Sequence, residues 1–197
     1  MAKDTVIQAA VEGIVDEAVV RRLIAHVGGI VGHVYGKQGK GQLRKRISGY
    51  NQAARRSPWI VVVDLNHDDA CAPPLRNAWV EQPAPHLCFR IAVREIEAWL
   101  LADEECLAGF LGVARSRVPA APETLDDPKT ALVNVARDSR RRDIREDIVP
   151  RPSSGRDVGP AYSSRMIEFA SNYWRPAVAA GKADSLRRAI ECLKRLT

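Results

Sequence analysis

Short apolar runs alternate along the chain with stretches in which apolar residues recur every third or fourth position, which predicts strands and helices in turn. Thr5 to Val11 is a β-branched apolar run ending at Glu12-Gly13 and predicts a buried strand. Val15, Val19, Leu23 and Ile24 follow at helical spacing, and Gly28-Gly29 stops that helix. Ile30 to Tyr35 predicts a second strand, and the basic stretch from Gln42 to Arg55 a second helix. Ser57-Pro58 then punctuates before Trp59-Ile60-Val61-Val62-Val63-Asp64, whose unbroken apolar character predicts burial on both faces, as in a parallel sheet. A loop and helix with Pro73-Pro74 near its start lead to another apolar run, His86 to Val93, and from Arg94 onward Ile96, Trp99 and Leu100 recur at helical spacing. After about Leu111 prolines at 119, 122 and 128 interrupt the chain, and helical patterns return at Pro128 to Ser139, Tyr162 to Tyr173 and Ser185 to Leu196.

Strands alternating with helices predict an α/β domain with a central, mainly parallel sheet, right-handed crossovers and flanking helices, followed by a helical C-terminal portion. The expected division is an α/β core over 1–111 and a helical extension packed on it over 112–197. At 197 residues and 46% hydrophobic, the chain is long enough to bury a proper core. No apolar run approaches the roughly 20 residues needed to cross a bilayer, and the N-terminal Met-Ala-Lys-Asp leads toward a strand instead of a signal-peptide core, so a cytoplasmic location is expected. Cys71, Cys88, Cys106 and Cys192 lack C-x-x-C spacing and are expected to be buried free thiols, not zinc ligands or disulfides.

Charge adds a partner class. A net charge of +6 and a pI near 9.4 favour a polyanion. Lys37, Lys40, Arg44, Lys45 and Arg46 form one basic cluster, and its lysines lie in the glycine-rich stretch Gly36 to Gly41, whose backbone can approach a ligand closely. Lys37, Lys40, Arg44 and Lys45 are therefore the candidate nucleic-acid contacts. The spacing is not that of a Walker A motif, so nucleotide binding is not expected. Two further clusters, around Arg140 and around Arg187, read as solvated helix faces.

The acids carry the chemistry. In open parallel sheets, sites lie at the carboxyl ends of the strands. Glu12 and Asp64 each follow directly on an apolar strand, and Glu95 follows the third such run by two residues, so all three are expected to face one crevice. Two unit charges about 4 Å apart repel by roughly 4 kcal/mol at an effective dielectric near 20, so gathered carboxylates need a counter-charge. A hard cation such as Mg²⁺ or Mn²⁺ supplies it, and the matching chemistry is on phosphodiesters. Asp16 stands one helical turn after Glu12, while Asp68 and Glu97 extend the acidic set. On an ideal helix Glu95 and Glu97 point in different directions, and Arg90 and Arg94 are candidate ion-pair partners for them. His67 reads as a surface loop residue and Trp99 as core.

Val11-Glu12-Gly13 with Asp16-Glu17, followed by Val61-Val62-Val63-Asp64-Leu65-Asn66-His67-Asp68, resembles the Toprim domain shared by topoisomerases, primases and OLD-family nucleases. The stretch Phe89 to Asp103, with Asp127-Pro128-Lys129 downstream, is similar to a family of small stand-alone Toprim-like proteins encoded beside an AAA-type ATPase and suspected of acting in bacterial defence. The resemblance covers nearly the whole chain and implies a Toprim-like Rossmannoid fold, a Mg²⁺- or Mn²⁺-dependent nuclease acting on DNA or RNA, and an ATPase partner. It implies Glu12 as metal ligand or general base and Asp64 as the first aspartate of D-x-D. It also implies Glu95 and Glu97 as a later acidic pair and Lys129 as a base steadying the scissile phosphate, with Lys37, Lys40, Arg90 or Arg94 neutralising charge on it. The expected metal ligands are thus Glu12, Asp16, Asp64, Asn66, Asp68, Glu95 and Glu97, and the expected catalytic residues Glu12, Asp64, Lys129 and Arg94. Asn66 departs from the pattern, because it stands where the second aspartate belongs and supplies an oxygen without charge; Asp68 is the expected substitute. That departure sustains a rival, a Toprim module that binds a partner or nucleic acid without cutting. A phosphotransferase or hydrolase acting on a small substrate is a third reading.

Overall fold

The computed structural model describes residues 5–197; residues 1–4, expected to lead into the first strand, lie outside the described residues. Strands β1 (Val6–Val11), β2 (Ile30–Gly36), β3 (Trp59–Asp64) and β4 (Leu87–Ala92) form one sheet in the order β2-β1-β3-β4, with each neighbouring pair parallel. Helices α1 (Ile14–His26), α2 (Lys40–Ala53) and α3 (Ala72–Trp79) connect them. The chain steps one way from β1 to β2 and the other way to β3, so the order reverses between β1 and β3. Crevices open at the carboxyl ends of strands at such a reversal.

Alternation along each strand sorts side chains between two layers. Ile7, Ala9, Val11, Ile60, Val62, Cys88 and Ala92 face one core, shared with α1 and the C-terminal helices. Ala10, Val61, Val63, Phe89 and Ile91 face the other, against Leu43, Ile47 and Tyr50 of α2 and Leu75 and Trp79 of α3. All six residues of β3 are buried, as a central strand covered on both sides requires. Each of its Ile and Val side chains contributes about 1.5–3 kcal/mol of transfer free energy.

Beyond the sheet come α4 (Ile96–Leu101), α5 (Glu104–Leu111), α6 (Pro128–Arg137), α7 (Arg142–Ile148), α8 (Tyr162–Asn172), α9 (Pro176–Ala179) and α10 (Asp184–Lys194). The first core continues through them without a break, from Ile7 to Leu193, with Trp99, Phe169 and Trp174 fully buried. The Trp174 indole N–H donates to the Trp99 carbonyl at 3.0 Å, and the Trp99 indole N–H donates to Ser185 Oγ at 2.7 Å, so both of these buried indoles are satisfied. Helix α5 is a new start: the Asp103 carboxylate accepts the Cys106 N–H at 3.4 Å and also pairs with Arg175 at 2.6 Å.

Three expectations need adjusting. Helices α5, α7 and α9 went unpredicted. Cys88 and Cys192 are buried, but Cys71 is exposed and Cys106 half-buried; all four are free. The later basic clusters are partly neutralised within the chain, through Arg141–Asp143 at 2.8 Å, Arg142–Glu146 at 2.8 Å and Arg188–Asp184 at 2.6 Å. Among the described residues no helix is long and apolar enough to cross a membrane.

Candidate functional site

A relay of carboxylates and main-chain amides ties the strand ends together. Glu12 leaves β1 and its Oε1 accepts the Asp64 N–H at 2.8 Å. Asp64 closes β3 and its Oδ1 accepts the Ile96 N–H at 2.8 Å, at the start of α4. Glu95 precedes α4 and its Oε2 accepts the Lys129 N–H at 2.9 Å, at the start of α6. Each acid therefore satisfies an amide at an element end, which helps explain how so many carboxylates tolerate one place. Glu97 and Asp16 complete the group from the first turns of α4 and α1. The Tyr162 hydroxyl, from α8, donates to Glu97 Oε1 at 3.0 Å.

Burial and nearby negative charge act on Glu12, Asp16, Asp64 and Glu97. Burial pushes Asp16 up to about 6, helped by Glu12, and Glu97 up to about 7, helped by Glu95. Asp64 stands well above the carboxylate range, by burial first and then by Asp16, Glu97 and Glu12. Glu12 is raised by burial against the opposing pull of the Asp64 N–H and Lys40. The Lys129 ammonium lies 3.6 Å from Glu95 and 3.5 Å from Glu97, and these acids with Asp64 outweigh its burial and raise its own pKa.

The donor set suits a hard cation: it is all oxygen, and two buried oxygens, Asp16 Oδ1 and Glu97 Oε2, accept no hydrogen bond. Among the described residues, however, no group of three or more His, Cys, Asp or Glu side chains converges at metal-holding spacing. The carboxylates are gathered and amide-bound, with Lys129 supplying the counter-charge.

The remaining expected residues fall in different places. Glu95 has an extended backbone (φ −136°, ψ 162°), so the divergence of i and i+2 on an ideal helix does not apply, and both Glu95 and Glu97 reach Lys129. Lys129 is thus the partner of those acids, in place of Arg90 and Arg94. Arg94 instead donates to the main-chain carbonyls of Asn66 at 3.0 Å and Asp69 at 3.3 Å, clamping the loop after β3. Asn66 is half-buried at φ +51°, in a left-handed conformation that asparagine tolerates, and its N–H donates to the Arg94 carbonyl at 2.8 Å. Asp68 is exposed and pairs with Lys40 at 2.6 Å, so it does not take the place of a second buried aspartate.

Lys40 opens α2 and also donates to the main-chain carbonyls of Asp64 and Leu65, which brings one basic residue onto the end of β3. The glycine-rich stretch lies across the end of β1: the Lys37 N–H donates to the Val11 carbonyl at 2.9 Å and the Gly39 N–H to the Glu12 carbonyl at 3.0 Å. Gly36 sits at φ +88°, where a Cβ would stand 2.2 Å from the Val11 carbonyl oxygen, so only glycine fits. The Lys37 side chain pairs with Glu17 at 3.0 Å, Lys45 is exposed, and Arg44 turns away to stack over Trp79 at 5.8 Å. His67 is exposed, as expected of a loop residue. Sequence reasoning missed Tyr162, which lies 65 positions from Glu97 and reaches it from α8, a helix packed against α1.

Comparison with family models, with curated proteins and with solved structures finds no match.

Proposed function

We propose that this chain is a Mg²⁺- or Mn²⁺-dependent phosphodiesterase acting on DNA or RNA, a Toprim-like nuclease working with an AAA-type ATPase. One observation carries the reading: Glu12, Asp16, Asp64 and Glu97 gather at the carboxyl ends of parallel strands, all with raised pKa, two of them holding buried oxygens without donors. On this reading the four carboxylates, which do not converge at metal-holding spacing by themselves, would draw together around a divalent cation, and the cation would polarise the phosphoryl group and stabilise charge on the leaving oxygen. Glu12 is half-exposed and on this reading would accept a proton from an incoming water. Lys40 and Lys129 bring ammonium groups close to the acids, where phosphate charge would be met. The exposed Lys45 and the glycine-rich loop offer an approach for a polyanionic backbone.

Purified protein incubated with Mn²⁺ and plasmid DNA, or with an RNA oligonucleotide, is expected to cleave one of them. Glu12→Ala and Asp64→Ala abolish the cleavage; equal cleavage by both variants overturns the reading. A second reading, a module that binds without cutting, is favoured by the neutral Asn66 and by the Lys129 ammonium already inside the acidic group. Gain of nicking in Asn66→Asp separates the two, because it shows that only cation affinity had been lost.

A further inference from the structure

The sheet ends at β4, and the phase of its hydrogen bonds identifies which main-chain groups face outward. The Trp59 N–H donates to the His86 carbonyl and the Leu65 N–H to the Ala92 carbonyl, both at 2.9 Å, so even-numbered residues of β4 face β3 and odd-numbered residues face away. Two of the outward N–H groups are satisfied locally: Leu87 donates to the Ala84 carbonyl at 3.0 Å and Val93 to Ser185 Oγ at 3.3 Å. Between them, Phe89 and Ile91 turn N–H and C=O outward with no partner among the described residues. Unpaired edges of this kind are templates for another strand, and proteins normally cover or charge them.

This window opens into a groove of about 390 Å³, floored by Phe89 and Ile91 and walled by α3 on one side and the start of α10 on the other. Its charge is uneven. Glu123 and Asp184 line it but are engaged, Glu123 with the N–H groups of Asp184 at 2.8 Å and Ser185 at 2.9 Å, and Asp184 with Arg188 at 2.6 Å. Arg76 is exposed and carries no carboxylate among the described residues; the Arg90 guanidinium lies against the Cys88 and Cys192 sulfurs, and its buried Nε has no acceptor.

We propose that this groove takes an extended acidic segment of a partner protein as a fifth strand, its main chain paired with Phe89 and Ile91 and its carboxylates beside Arg76 and Arg90. A small anion answers only half of the site: it satisfies the guanidinium groups but has no donor for the outward carbonyls of Phe89 and Ile91. A peptide main chain presents both donor and acceptor at strand spacing. The proposal uses none of the carboxylates at the strand ends and stands apart from the phosphodiesterase reading.

Amide hydrogen exchange of the full chain, followed by NMR, tests it with a capped peptide of alternating glutamate and valine as the probe. At millimolar peptide, exchange at Phe89 and Ile91 is expected to slow by about tenfold or more, and Arg76→Glu is expected to remove most of that protection. The same peptide with lysine in place of glutamate gives no protection. The proposal is overturned if these two amides are not slowed, if the lysine peptide protects them equally, or if free glutamate alone protects them, which would mark an anion site instead of an added strand.

Discussion

Glu97→Gln removes one charge from the buried acidic group while keeping its shape and an oxygen for the Tyr162 hydroxyl, which lies 3.0 Å from Oε1. Burial, with repulsion from Glu95, holds this carboxyl up from 4.5 to about 7 even with Lys129 beside it. A rise of that size corresponds to about 3 kcal/mol, and Glu97 is only 2% exposed, so solvent screens little of it. The sign follows from which state binds the proton more tightly. The folded chain does, so the stabilising contribution is complete below about pH 4.5 and is lost as pH rises through about 7. Urea unfolding of wild type between pH 5 and pH 8.5 is therefore expected to show stability falling on the alkaline side, with up to about 3 kcal/mol of the fall absent in Glu97→Gln. At pH 8.5 the variant is the more stable protein; at pH 5 the two converge. Parallel stability profiles for the two proteins would refute the description of Glu97 as a carboxylate ionised at a cost.

Other perturbations read neighbouring parts of the same description. Lys129→Met leaves Glu95 and Glu97 without their counter-charge and is expected to cost about 3 kcal/mol at pH 8, recovered below pH 5; on the proposed function Mn²⁺ also restores it, as thermal denaturation would record. Tyr162→Phe removes the hydroxyl that lowers the Glu97 pKa, and is expected to move the midpoint of the stability loss to higher pH and to cost about 1 kcal/mol, measured in the same unfolding series. Gly36→Ala places a methyl group against the Val11 carbonyl at a positive φ and is expected to lower stability by about 2 kcal/mol or more, seen as a drop in the urea midpoint.

Much of the fold was legible because its signals are local. The run Trp59 to Asp64 is wholly apolar up to its last residue, and β3 has those bounds. That Glu12 and Asp64 stand at neighbouring strand ends was readable because a strand end fixes where the next side chain goes. Helix α7 left no comparable trace, since Ile144 and Ile148 are its only buried positions amid charged residues, and two apolar positions do not define a period. The fate of Asp68 was equally hidden: only the meeting of α2 with the loop after β3 gives it Lys40 in place of the acidic group.

The sequence by itself determined the alternation of strand and helix, the parallel sheet and the strand ends at which acids stand, because these follow from side-chain periodicity and from residue types within a few positions of each other. Only the tertiary structure decided what those acids meet. The extended backbone at Glu95 turns it and Glu97 onto one lysine, α8 delivers the Tyr162 hydroxyl, and the reversal of strand order brings Glu12 to the Asp64 amide. Each of these contacts joins residues distant in the chain, and their energies depend on burial and on distances of a few ångströms that no local pattern encodes.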